Sequence, residues 1–186
     1  QFMPKKHPLL GMDKESKKVF QINQPSPHVI LLSLPKTNSH FWHQEPQLKS
    51  LTRLSDEIQK IKTVKNVVSL ANIRSAFEHK EGLSVGPILE LKKQGFKTEQ
   101  ILKDPLFTPN IISQDGKHTA LFVIPNFISQ EQHQRLVEEI KNIATKTIPS
   151  ATVRVGGPAA IRTELIQLLS HEIVIFILLS LNIRYL

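Results

Sequence analysis

The sequence predicts an α+β domain built from two β-α-β units, followed by an apolar C-terminal helix. Short apolar runs rich in β-branched residues alternate with segments in which leucine and isoleucine recur every three or four residues. The chain closes with an almost uninterrupted apolar stretch over 173–183. Its 186 residues are enough for one domain with a hydrophobic core.

The first β-α-β unit is predicted over residues 28–70. Residues 28–34 are an apolar run flanked by prolines, which is typical of a buried strand. A helix then begins near Glu45 and Pro46, because proline is tolerated in the first helical turn. The apolar stripe of this helix is Leu48, Leu51, Leu54, Ile58 and Ile61. The second strand is supplied by Val64, Val67, Val68 and Leu70.

The second unit follows an insertion. Two strands, over 110–114 and 119–124, flank Asp115 and Gly116, a dipeptide that favours a tight hairpin turn. Ser129 opens a helix, and Gln132 completes a capping box. The buried face of this helix is predicted to consist of Leu136, Ile140, Ile143 and Ala144. A last strand over 151–155 stops at a Gly-Gly-Pro sequence.

The order β-α-β, insertion, β-α-β predicts a ferredoxin-like split fold. We expect an irregular lead-in over 1–24, the main domain over 25–160 and a transmembrane helix over 161–186. The insertion, 73–109, is predicted to be helical and to carry no strand. One short helix follows Gly86 and Pro87, and Thr98 caps another that ends near Lys103.

The apolar tail is predicted to cross a membrane. Residues 173–183 alone would span only about 16 Å as a helix, but extension back through Leu165 gives about nineteen residues, close to the roughly 30 Å of a bilayer core. Arg184 directly after the run suits a cytoplasmic helix end. A buried helix or strand is the alternative interpretation, because apolar runs of this length are ambiguous.

Composition excludes several classes of function. The chain contains no cysteine, so disulfides, thiolate metal sites and cysteine nucleophiles are excluded. Its net charge of +8 is spread along the chain, and its aromatic content of 6% leaves little for a base-stacking surface. We therefore expect no nucleic-acid partner. A soluble, basic ferredoxin-like module that binds nucleic acid is the alternative function.

The candidate reactive residues do not predict an enzyme. His40 and His43, near Glu45, are the best metal-ligand candidates, but no further ligand lies nearby in sequence. Ser113, Asp115 and His118 have the residue types of a hydrolytic triad, yet they share one hairpin turn, and no nucleophile elbow is present. We expect no catalytic residue, no metal and no cofactor.

Three segments, in this order, carry a resemblance to a known family. They are Ile-Lys-Thr-Val-Lys-Asn-Val-Val-Ser-Leu-Ala-Asn over 61–72, Ile-Ser-Gln-Asp-Gly-Lys-His-Thr-Ala-Leu over 112–121, and Val-Arg-Val-Gly-Gly-Pro over 153–158. Together with the apolar tail, they resemble the first periplasmic loop and the start of the second transmembrane helix of resistance-nodulation-division (RND, MMPL-like) exporters.

The resemblance implies a proton-driven exporter of hydrophobic or lipid-like substrates that works by conformational coupling. The resemblance places the main domain in the periplasm and the tail in the bacterial inner membrane. The implied partners are the remainder of the exporter chain and, where a homo-oligomer forms, further copies of the chain. The proton-relay carboxylates of that family would lie outside this sequence. Within the insertion, the expected substrate contacts are Phe77, Phe96 and Phe107, and packing into the core is the alternative role of these side chains.

Overall fold

A computed structural model of the chain describes residues 27–35, 37, 39–79, 82–158, 161, 165, 168, 169, 172, 173 and 176. It is an α+β structure with two antiparallel sheets. The predicted lead-in over 1–24 and most of the predicted transmembrane helix lie outside the described residues. Among the described residues, no helix has the length and apolar character needed to span a membrane.

A four-stranded sheet forms the centre of the structure. Its strands are β1 (His28–Ser33), β2 (Val64–Val68), β5 (His118–Pro125) and β6 (Thr152–Gly156). They are arranged in the order β2-β5-β1-β6, and every neighbouring pair is antiparallel. The two predicted β-α-β units therefore interleave, because β5 of the second unit lies between β1 and β2 of the first.

Two helices cover one face of this sheet. Helix α1 (Glu45–Gln59) has Pro46 in its first turn and buries the predicted stripe from Leu48 to Ile58 completely. Helix α3 (Gln130–Thr147) begins with the predicted capping box, in which Ser129 and Gln132 each accept a hydrogen bond from the other's backbone N–H. The core lies between these helices and alternate residues of β1 and β5, including Ile30, Leu32, Leu121 and Val123.

The insertion differs from its prediction because it contains a β-hairpin. Strands β3 (Arg74–His79) and β4 (Gly82–Pro87) form a separate two-stranded sheet. The expectation of an insertion without strands was wrong, because charged and small residues hide the period-two alternation of these strands from a search for apolar runs. Helix α2 (Ile88–Lys92) and a 3₁₀ helix (Thr98–Lys103) confirm the two predicted helical segments.

The Asp115-Gly116 turn is confirmed, but the strand predicted before it is reduced to one bridge. Gly116 has a φ of +67°, and Asp115 accepts a hydrogen bond from the Lys117 N–H. Ile112 forms an isolated bridge with Thr119, and backbone hydrogen bonds from Ser113 to the His118 carbonyl and from Ala120 to the Ile111 carbonyl also cross the turn. Residues 105–111 form turns, so the continuous strand of this region is β5, which follows the Asp115-Gly116 turn.

Candidate functional site

The insertion buries two of the three phenylalanines that were expected to contact a substrate. Phe107 is fully buried and Phe96 is 7% exposed, and both belong to the hydrophobic core together with Ile101. Phe77 lies on β3, and its side chain is outside what the structure describes. For Phe96 and Phe107 the structure shows the alternative role, core packing, so contact with a substrate would require this core to open.

An open cleft lies between the first turn of α1 and helix α2. It has a volume of about 520 Å³ and is lined by Glu45, Lys49, Leu89, Lys92 and Lys93. Leu89 is partly buried against the core and gives the cleft an apolar surface. The lining therefore combines three lysines and one carboxylate with an apolar side chain.

Glu45 binds two of these lysines. Its carboxylate contacts Lys49 Nζ at 2.7 Å within α1 and also bonds Lys92 Nζ from α2. Hydrogen bonds from Lys49 and from Lys92 lower the pKa of Glu45 to about 2, so this carboxylate is ionised at neutral pH. The N-terminus of α1, where Glu45 lies, also favours a negative charge.

The cleft keeps a positive charge after this pairing. One carboxylate cannot neutralise both Lys49 and Lys92, and Lys93 adds a third cation to the lining. Such a surface suits an anionic group attached to an apolar body.

The Glu45–Lys92 contact also joins α1, which covers the central sheet, to α2 in the insertion. Spacing in the sequence reveals the i,i+4 pair of Glu45 and Lys49, whereas Lys92 reaches the site only through the tertiary fold.

A second cluster ties the β1–α1 loop to the Asp115-Gly116 turn. The side chain of Lys117 is nearly buried, donates to the His40 carbonyl at 2.8 Å and lies 3.9 Å from the ring centroid of Phe41. The indole N–H of Trp42, a fully buried residue, donates to the Lys117 carbonyl at 2.9 Å. These contacts connect the β1–α1 loop with the Asp115-Gly116 turn, so their role is to hold these two loops together.

His43, one of the two metal-ligand candidates weighed in the sequence, packs against an aromatic ring. His43 stacks on Phe41, with ring centroids 5.6 Å apart, and burial lowers its pKa although Glu99 opposes this shift. Within the described part of the chain, no group of three histidine or carboxylate side chains is placed to hold a metal ion.

The three residues with triad chemistry adopt the geometry of a turn. The Ser113 hydroxyl donates to the Asp115 carboxylate and accepts from the backbone N–H of His118 at 2.9 Å. The His118 ring is directed elsewhere, with its Nδ1 2.8 Å from the Ser33 hydroxyl. Because the imidazole does not meet the Ser113 hydroxyl, it cannot act as its general base in this arrangement.

A buried histidine pair joins β1 to α3. His28 is fully buried, and its Nε2 lies 2.9 Å from Nδ1 of His133. The Nδ1 of His28 has no hydrogen-bond partner among the described residues. Burial, and then the nearby His133, lower the pKa of His28 to about 4, so His28 is neutral at physiological pH. The sequence does not reveal this pair, because its members are 105 residues apart.

Comparison with protein families identifies a match that covers most of the sequence. The family model described as "MMPL family" covers residues 1–183, nearly the whole chain. None of the curated proteins matches this chain. The family match confirms the resemblance to RND/MMPL-like exporters that rests on the segments 61–72, 112–121 and 153–158. The chain belongs to the MMPL family.

Proposed function

We propose that this chain is the extracytoplasmic porter-domain segment of a proton-driven RND-type exporter of hydrophobic or lipid-like substrates. The observation that carries the proposal is the match of the MMPL family model to residues 1–183. The segment performs no bond chemistry and acts through changes of conformation. It works with the remainder of the exporter chain in the bacterial inner membrane, with its main domain in the periplasm.

The porter domain is a ferredoxin-like split β-α-β fold in this proposal. The strand order β2-β5-β1-β6, with every neighbouring pair antiparallel, supports it. In that fold each unit contributes two strands that are separated by a strand of the other unit. Helices α1 and α3 on a single face of the sheet agree with this arrangement.

The tail over 161–186 forms the transmembrane helix in this proposal. The seven described positions between 161 and 176 are helical. Six of them carry apolar side chains, and the exposed fraction of these side chains ranges from 36% at Leu169 to 73% at Phe176. Apolar side chains in such positions are expected to be covered by lipid or by another protein segment.

The cleft gives the exporter segment a means of coupling. Glu45 and Lys92 connect the helix layer of the central sheet to the insertion, and their contact lies beside the cavity. An amphiphile whose anionic group enters the cleft competes with Glu45 for Lys92 and so loosens the insertion. This movement exposes the apolar core around Phe96 and Phe107, which then contacts the apolar part of the substrate.

Efflux from cells that express the full exporter chain tests this function. The cells are loaded with a fluorescent dye that joins an anionic group to an apolar body, and dye loss is followed by fluorescence with and without a protonophore. We expect the protonophore to abolish the exporter-dependent loss. Lys92→Glu should slow efflux at least threefold, because it removes the cation that binds the anionic group of the substrate and repels that group instead. Lys65→Glu, the same charge reversal at an exposed position on β2, should leave the rate unchanged.

Two outcomes would contradict the proposal. Exporter-dependent efflux that persists with the protonophore would exclude proton drive. Equal effects of Lys92→Glu and Lys65→Glu, in variants present in the membrane at the wild-type level, would exclude a coupling role of the cleft.

A further inference from the structure

Among the described residues, the hairpin of β3 and β4 has unpaired strand edges. Its two strands pair only with each other among the described residues, and the hairpin packs on α2. The outer edge of a two-stranded sheet presents backbone N–H and C=O groups that can pair with a further strand. An isolated hairpin is only marginally stable in water, so additional pairing would stabilise it.

The two edges are not equivalent. Strand β4 contains Gly82, Gly86 and Pro87, and proline lacks the N–H that a new ladder would need. Strand β3, with the sequence Arg-Ser-Ala-Phe-Glu-His, retains every donor. Pro87 lies opposite Arg74 and has no N–H, so Arg74 and Pro87 cannot exchange both backbone hydrogen bonds. By alternation, the backbone groups of Arg74, Ala76 and Glu78 are directed away from β4.

The charges on this edge are arranged symmetrically. Arg74, Ala76 and Glu78 are exposed and share one face, with opposite charges placed two residues before and two residues after Ala76. If two copies of β3 pair antiparallel with Ala76 opposite Ala76, each Arg74 lies opposite the Glu78 of the other copy. Parallel pairing in register would place like charges together instead, which is destabilising.

We propose that the β3 edge binds a second copy of this chain, in an antiparallel pair centred on Ala76. The charge pattern of β3 is complementary to itself in this arrangement. Leu83 and Val85 lie on the same face of the hairpin and are 68% and 54% exposed. They add apolar surface to this face of the pair. The proposal does not depend on the transport function, and it concerns the periphery of the molecule rather than the cleft.

The pair buries little surface compared with the roughly 1,200 Å² of the smaller stable interfaces, so it forms a weak contact. Cross-linking therefore detects it better than molecular size. The chain has no cysteine, and Ala76→Cys introduces a single thiol. Because the backbone groups of Ala76 face the added strand, the two copies of this residue form a hydrogen-bonded pair with Cα atoms about 5.5 Å apart, within the range of a disulfide. Under a mild oxidant, we expect the purified full-length Ala76→Cys variant in mild detergent to form a dimer linked by a disulfide between the two introduced thiols.

Two matched cysteine variants control for other contacts. Val85 lies on the same face of the hairpin as Ala76 but on β4. If the two copies pair through the β3 edge, Val85→Cys should cross-link at least tenfold more slowly than Ala76→Cys. Lys65→Cys is exposed on β2 and reports random collision. The fluorescence of the single tryptophan, Trp42, verifies that each variant is folded.

Charge reversal in the Ala76→Cys background tests the orientation. Arg74→Glu or Glu78→Arg alone should slow cross-linking about tenfold, because two-fold symmetry repeats the new repulsion at both ends of the pair. The double variant Arg74→Glu with Glu78→Arg should recover the original rate. Cross-linking of Ala76→Cys no faster than of Lys65→Cys, or a double variant slower than either single one, would overturn the proposal.

Discussion

At the scale of single residues, Gly157 occupies a backbone conformation that leaves no space for a side chain. Its φ is +102°, and a Cβ atom would lie 2.7 Å from the Pro27 carbonyl oxygen at the start of β1. The neighbouring Gly156 does not have a positive φ, and its Cβ would approach only the Val29 oxygen, at 4.0 Å. The tight approach of β6 to the beginning of β1 therefore depends on one of the two glycines.

Gly157→Ala should lower the free energy of unfolding by about 2–4 kcal/mol, because it combines backbone strain with a clash against backbone atoms. Gly156→Ala is the matched control and should change it by less than about 1 kcal/mol. Urea unfolding followed by Trp42 fluorescence measures both values. Equal losses for the two variants would show that the conformation of Gly157 is not limiting.

His28 makes stability depend on pH. Its folded-state pKa of about 4 lies below the unfolded value of about 6.5, so the unfolded chain takes up a proton more readily. The contribution of neutral His28 is therefore complete above about pH 6.5 and is lost as the pH falls towards 4. Glu45, whose pKa is also lowered, loses its contribution in a lower range, between its ordinary value and about 2.

His28→Phe should remove this dependence. Between pH 7 and 4 the wild-type chain should lose on the order of 2 kcal/mol through His28, and the variant should show a correspondingly flatter curve of unfolding free energy against pH. His40→Gln, at an exposed histidine, is the control and should retain the wild-type slope. The prediction fails if the curves of His28→Phe and His40→Gln coincide.

At the scale of elements, each helix begins with a local signal and is completed by its buried face. In α3 the N-terminus is held by the reciprocal bonds of Ser129 and Gln132, while Leu136 and Ile140 bind the helix to the sheet. The cap and the apolar stripe are both local patterns, so they were predictable. The β3–β4 hairpin was not, because its short strands carry little apolar signal.

Ser129→Ala should destabilise the chain by about 1 kcal/mol, because the N-terminal backbone N–H of Gln132 loses its acceptor. Ser50→Ala in the interior of α1 is a matched control. Its hydroxyl donates to the Pro46 carbonyl within the helix, and its removal should cost less than about 0.5 kcal/mol. Urea midpoints of the two variants provide the comparison. A loss for Ser50→Ala as large as that for Ser129→Ala would contradict the capping role.

At the scale of the whole molecule, the family match and the apolar tail both lead us to expect that the chain is attached to a membrane. We expect the full chain to stay with membranes after an alkaline wash, because a transmembrane helix resists extraction. The chain ending at residue 162 should be found in the supernatant. Release of the full chain would contradict the proposed transmembrane helix. Retention of both forms would place the membrane contact in the main domain.

The sequence by itself determined the strands and helices of the central α+β layer, including α1 with its buried leucines and the capping box of α3, and the membership in the MMPL family. These features follow from periodicities and motifs within a few residues, or from an ordered series of segments. Tertiary structure alone decided that Lys92 meets Glu45, that Lys117 meets the His40 carbonyl and that His28 meets His133, across 47, 77 and 105 residues respectively. It also placed Phe96 and Phe107 in the core. The physical reason is that burial and pairing of distant side chains depend on how the layers pack, and spacing along the chain carries no information about that packing.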